Sequence, residues 1–91
     1  MNSLEEVRAN IDRIDQQIVQ LLGERQSFVR EAAGFKKTTD NVKAPARAET
    51  VIAKVRNLSL QHHLDADIAE AVYRTIIDCF IKSEMNEFNT K

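Results

Sequence analysis

From Leu4 onward, apolar residues recur at alternating steps of three and four: Leu4, Val7, Ile11, Ile14, Ile18 and Leu21, then, after one interruption, Phe28, Ala32 and Phe35. Such steps keep side chains on one face of an α-helix and do not fit the two-residue repeat of a strand. Ser3, with Glu6 three residues later, reads as a capping box, so the helix is expected to start near residue 3 and to run to about residue 36. Gly23 and Gly34 lie inside it. Each costs about 1 kcal/mol relative to Ala, which makes the last turn the weakest part.

A helix of about 33 residues is about 50 Å long. The whole chain has 91 residues, and a compact monomer of that length has a radius of gyration of about 12 Å and a diameter of about 30 Å. The helix therefore overhangs any core that one chain can build, and its apolar stripe continues along the overhang. A dimer in which two such helices pack together covers that stripe. The competing reading is a bent or broken first helix in a monomeric three-helix bundle.

Residues 37–44 have no period and read as a loop that stops at Pro45, a residue suited to the first turn of a helix. A second helix is expected over about 45–61, carried by Ala48, Val51, Ile52, Val55 and Leu58. Asp65 is placed to cap a third, over about 65–88, whose stripe includes Ala69, Val72, Tyr73, Ile76, Ile77, Phe80 and Ile81. With two glycines and one proline, the chain lacks the regular turns of a sheet protein. The expected fold class is all-α: a single domain spanning 1–91, three helices per chain, intertwined as a homodimer into a six-helix bundle.

Charge and cysteine content narrow the function. Thirteen Lys and Arg against 14 Asp and Glu leave a net charge of -1, so there is no general basic field for nucleic acid or an anionic membrane. The single cysteine, Cys79, excludes an internal disulfide and a cysteine-based zinc site, and it is expected to be an inert, semi-buried thiol. The first residues, Met-Asn-Ser-Leu-Glu-Glu, lack the apolar run of a signal peptide, and no stretch reaches the length of a membrane span. A cytoplasmic protein is expected, with neither nucleic acid nor membrane as partner.

The informative residues break the apolar pattern. Of the ten stripe positions in the first helix, the one that is not apolar is Arg25. A guanidinium in such a seam is costly by several kcal/mol unless it meets an anion. Lys36 lies eleven residues further on, about three turns, so the two cations point the same way. Arg8 is seventeen residues before Arg25, about 25 Å along the axis and about 100° away in direction. It cannot join the pair within one chain. If the helix packs antiparallel on its symmetry mate about a centre near Ile18, Arg8 of one chain approaches the site of the other. Arg47 opens the apolar face of the second helix, and Glu84 continues the apolar line of the third.

Four cations and one carboxylate converging on an apolar interior suit a small dianionic substrate. Arg gives planar, bidentate recognition of carboxylates, and Lys is a point charge suited to an oxygen that gains charge. No nucleophile and base are placed together. His62 and His63 read as solvated surface, Asp12 and Asp15 as surface or interhelical ion-pairing residues, and no phosphate loop or dinucleotide fingerprint occurs. Neither a cofactor nor a metal is expected.

The run Arg8-x-x-Ile11-Asp12-x-Ile14-Asp15-x-x-Ile18-x-x-Leu21-x-x-x-Arg25, followed by Lys36, Pro45-x-Arg47, His63-Leu64-Asp65, Ile76-Ile77 and Glu84, resembles the all-helical (AroQ-type) chorismate mutase family. Ile11-Asp-Arg-Ile-Asp15, Gly34-Phe-Lys36 and Ala44-Pro45 look especially like its isochorismate pyruvate lyase branch. The resemblance implies an intertwined dimer with two sites, each completed by Arg8 of the other chain. It makes Arg25 the in-chain carboxylate ligand, Lys36 the contact to a carboxylate and the ether oxygen, and Arg47 a further pocket arginine. Catalysis would then fall to Lys36, Glu84 and Arg25 in a pericyclic rearrangement of chorismate to prephenate.

Two positions depart from the family pattern. Glu84 stands where many members carry glutamine, and only its neutral acid form donates a hydrogen bond to a developing oxyanion. Ala48 stands where typical mutases hold the ring hydroxyl with a glutamate. Glu49 is the possible substitute if the helix register differs. These departures keep isochorismate pyruvate lyase and 4-amino-4-deoxychorismate mutase as alternatives. A catalytically silent helical dimer that regulates a partner is the alternative from another class.

Overall fold

A computed structural model describes residues 3–35 and 45–90, with the side chains of 87–90 left aside. Among these residues there are three helices and no strand: α1, Leu4–Ala33; α2, Pro45–Gln61; and α3, Ala66–Thr90. Lys36 and the 37–44 segment lie outside the described residues.

The helix ends follow from local chemistry. Ser3 has extended backbone and its Oγ accepts from the Glu6 amide at 3.1 Å, satisfying one of the orphan N–H groups of α1. Glu5 and Glu6 add negative charge at the positive end of the helix dipole. Asp65 Oδ1 accepts from the Asp67 amide at 2.8 Å, and the Asp65 carbonyl from that of Ala69 at 3.0 Å, so Asp65 is the cap of α3. α2 ends on a residue other than glycine in the left-handed region, His63 at φ 59°. There the Leu64 amide donates back to the Ser59 carbonyl at 2.9 Å, a Schellman closure.

The core lies between α2 and α3. Ile52 and Val55 of α2 and Ala69 of α3 are the buried apolar residues, joined by Ser59, whose hydroxyl donates to the Arg56 carbonyl at 2.6 Å. A clasp of charges ties the same two helices together. Glu70 accepts from Arg56 Nη1 at 2.8 Å and from Arg74 Nε at 2.7 Å, and Arg56 also reaches Asp67 at 3.1 Å. Arg74 then grips both oxygens of Glu49, at 3.0 and 3.1 Å.

α1 is continuous over 30 residues, which excludes the broken-helix reading, and it has no buried residue. Ile11, Ile14 and Ile18 are 50, 44 and 48% exposed, although they sit on its apolar stripe. The chain measures 54 × 25 × 15 Å, with a radius of gyration of 16.1 Å, well above the ~12 Å of a compact monomer. Its accessible surface is 7134 Å², about 1,700 Å² more than a compact monomer of its mass exposes.

Candidate active site

On α3, Tyr73, Ile77, Phe80 and Glu84 follow each other at steps of four, three and four, and so form one stripe. Arg25 of α1 meets it. Its guanidinium carbon lies 5.0 Å from the centroid of the Phe80 ring and 5.9 Å from that of Tyr73. Both contacts are within cation–π range, so ring faces offset part of the cost of a half-buried cation. One turn beyond Phe80, Glu84 is 4% exposed, and it is the one charged residue among the buried positions described. The charges that interrupt the apolar patterns of α1 and α3 are thus on one seam.

The remaining candidates are placed differently. Ala48 is half-buried and lines a pocket of about 260 Å³ with Pro45, Ile77 and Ile81, together with the charged Glu49, Arg74 and Asp78. Arg47, expected to lean toward the core, is exposed at the start of α2, because the pairing of α2 with α3 turns Ile52 and Val55 inward instead. Arg8 is exposed on α1. Within one chain it stays about 25 Å along the axis from Arg25, since the helix between them is unbroken. The expected role of Lys36 falls on a residue outside those described.

Glu49, the possible substitute for a carboxylate at position 48, is paired across the helices. Its two oxygens are both taken by Arg74, and that hydrogen bonding holds its pKa below the ordinary carboxylate value of 4.5. Glu70 is lowered from 4.5 in the same way, first by its hydrogen bond from Arg74 and then by that from Arg56. Both carboxylates therefore serve the α2–α3 contact. One half of this arrangement, Glu70–Arg74, is an i,i+4 pair within α3; the reach from Arg74 to Glu49 spans 25 residues and carries no sequence signal.

Cys79 is exposed, not semi-buried, because it falls on the side of α3 away from α2 and the Arg25 seam. His62 and His63 are exposed at the end of α2. Among the described residues no group of three or more His, Cys, Asp or Glu side chains is arranged to hold a metal ion, and no helix is long and apolar enough to cross a membrane.

Residues 7–85 match the family model described as chorismate mutase type II. The chain is 33% identical over 82 residues to the isochorismate pyruvate lyase of Pseudomonas aeruginosa, covering 90% of this chain and 81% of that one. It is 28% identical over 79 residues to the chorismate mutase of Methanocaldococcus jannaschii, covering 86% and 80%. An uninterrupted α1, an arginine held against α3, a buried Glu84 and a family match over nearly the whole length converge: the chain belongs to the chorismate mutase type II family.

Proposed function

We propose that this chain is a chorismate mutase that works in the cytoplasm as a homodimer, with Arg8 of each chain completing the site of the other. The observation that carries the reading is the family match over residues 7–85, a span that contains Arg8, Arg25, Lys36, Arg47 and Glu84. The substrate is a small dianion. Arg8 and Arg25 bind its carboxylates and fold it into the chair-like conformer that the rearrangement requires. As the C–O bond breaks, charge collects on the ether oxygen, where Lys36 and Glu84 act on it. Arg47 adds positive potential at the mouth of the pocket. The step is pericyclic and proceeds without a covalent intermediate, cofactor or metal.

The dimer is supported by surface arithmetic. Docking two chains through their α1 stripes has about 1,700 Å² of excess surface per chain available to it. About 3,400 Å² in total is the size of an obligate interface.

A second reading, isochorismate pyruvate lyase, draws on two observations. The Pseudomonas aeruginosa lyase shares 33% identity with the chain, and position 48 is an alanine beside a Glu49 already committed to Arg74. A ring hydroxyl at the position chorismate presents finds no carboxylate there. Purified protein incubated separately with chorismate, isochorismate and 4-amino-4-deoxychorismate separates the readings. Prephenate is expected from the first; salicylate plus pyruvate from the second with no prephenate makes the lyase reading correct. No turnover of any of the three overturns both.

A further inference from the structure

The ring faces around Arg25 do more than accommodate it. Tyr73 and Phe80 are seven residues apart on α3, a rise of about 10.5 Å. The guanidinium carbon is 5.9 Å from one ring centroid and 5.0 Å from the other, so together the two distances barely exceed that spacing. The cation therefore lies over both rings within cation–π reach. Among the described residues Arg25 makes no hydrogen bond or ion pair, and these ring contacts are its interactions.

This way of holding a cation differs from the clasp between α2 and α3. There Arg56 and Arg74 direct their N–H groups at carboxylates, which neutralises the charge and occupies the donors. A ring face attracts the cation through its quadrupole and uses no donor. Among the described residues the N–H groups of Arg25 are left for an anion, while its position is set in advance.

We propose that Phe80 and Tyr73 are positioning residues that clamp the Arg25 guanidinium and so pre-organise it for the substrate carboxylate. The proposal rests on the reading of Arg25 as a carboxylate ligand. Phe80, the nearer ring, carries the larger share. Loss of the clamp releases Arg25 to other rotamers, and substrate binding must then order it at the expense of affinity.

The experiment is graded fluorination of Phe80 by incorporation of mono-, di- and trifluorophenylalanine into the full-length protein, assayed on chorismate and isochorismate. Fluorine withdraws charge from the ring face with little change in shape. Going from none to three fluorines, kcat/KM is expected to fall stepwise by about 3- to 30-fold, the range of a cation–π contact, chiefly through KM. Phe80→Tyr should keep most of the activity, and Phe80→Leu and Tyr73→Leu should each lower kcat/KM. In an Arg25→Ala background, Phe80→Leu should have no further effect. A kcat/KM indifferent to fluorination, with Arg25→Ala impaired, overturns the clamp alone. An Arg25→Ala enzyme with wild-type kcat/KM overturns the site reading on which it rests.

Discussion

Glu84 is a carboxylate at a position where the α3 stripe calls for an apolar side chain, and it is 4% exposed. In the proposed site it faces an oxygen that gains charge, so Glu84→Gln, which keeps the shape and supplies a neutral N–H donor, should retain turnover, whereas Glu84→Ala should lower kcat/KM; steady-state kinetics of the two variants checks this. His63 presents a different single-residue question. At φ 59° it occupies a conformation that costs a side-chain-bearing residue about 1 kcal/mol and glycine almost nothing. His63→Gly should therefore stabilise the protein by up to about 1 kcal/mol, read from denaturant unfolding, with activity unchanged. Arg25 and Glu84 were legible in the sequence because a charge in an apolar period stands out. The rings that hold Arg25 were not, since Tyr73 and Phe80 look like ordinary stripe residues until the approach of α1 to α3 brings the cation over them.

Helices α2 and α3 form the unit on which the site is mounted, and their junction has two distinct sources of stability. The first is capping: Asp65 accepts the Asp67 amide at 2.8 Å, and Asp65→Ala should cost about 1 kcal/mol in denaturant unfolding. The second is the charge clasp, which is sensitive to pH. Glu70 and Glu49 have pKa values lowered by their arginine partners from the 4.5 expected of an unpaired group. Their contribution is complete above pH 4.5 and is lost as pH falls through the lower folded-state values. Glu70→Gln should thus melt at a lower temperature than wild type at neutral pH, and the gap should shrink as the pH is taken below 4.5. A gap of constant size in scanning calorimetry counts against the clasp. High salt should narrow it as well, because the groups are solvent-accessible. Periodicity and caps identified the helices themselves. Which faces of α2 and α3 meet, and hence that Arg47 is left outside and Glu49 is drawn to Arg74, depends on how two apolar stripes interdigitate.

For the molecule as a whole, the length of α1 is the feature behind the proposed dimer. A helix of 30 residues without a single buried side chain has, among the described residues, no stabilising partner along most of its apolar face. If the proposed dimer forms through this stripe, Ile14→Asp at its middle should give a monomer where wild type sediments as a dimer, and should abolish turnover because each proposed site would lose its second chain; a wild-type monomer in sedimentation velocity overturns the dimer. Mixing an Arg8→Ala chain with a Lys36→Ala chain should restore up to one intact site per heterodimer. No recovery despite demonstrated subunit exchange means that Arg8 does not act in trans.

The all-helical class, the caps at Ser3 and Asp65, the proline start of α2 and the two anomalous charges all follow from local spacing, because helix period and end chemistry are properties of a few adjacent residues. Even the overhang of α1 was contained in a comparison of helix length with chain length. Three-dimensional packing added what spacing cannot carry. It put Arg25 over two rings 48 and 55 residues away, tied Glu49 to an arginine 25 residues away, and turned Arg47 and Cys79 outward. Each of these depends on the relative rotation of two helices about their axes. That rotation is set by the summed contacts of whole faces and not by any one residue type.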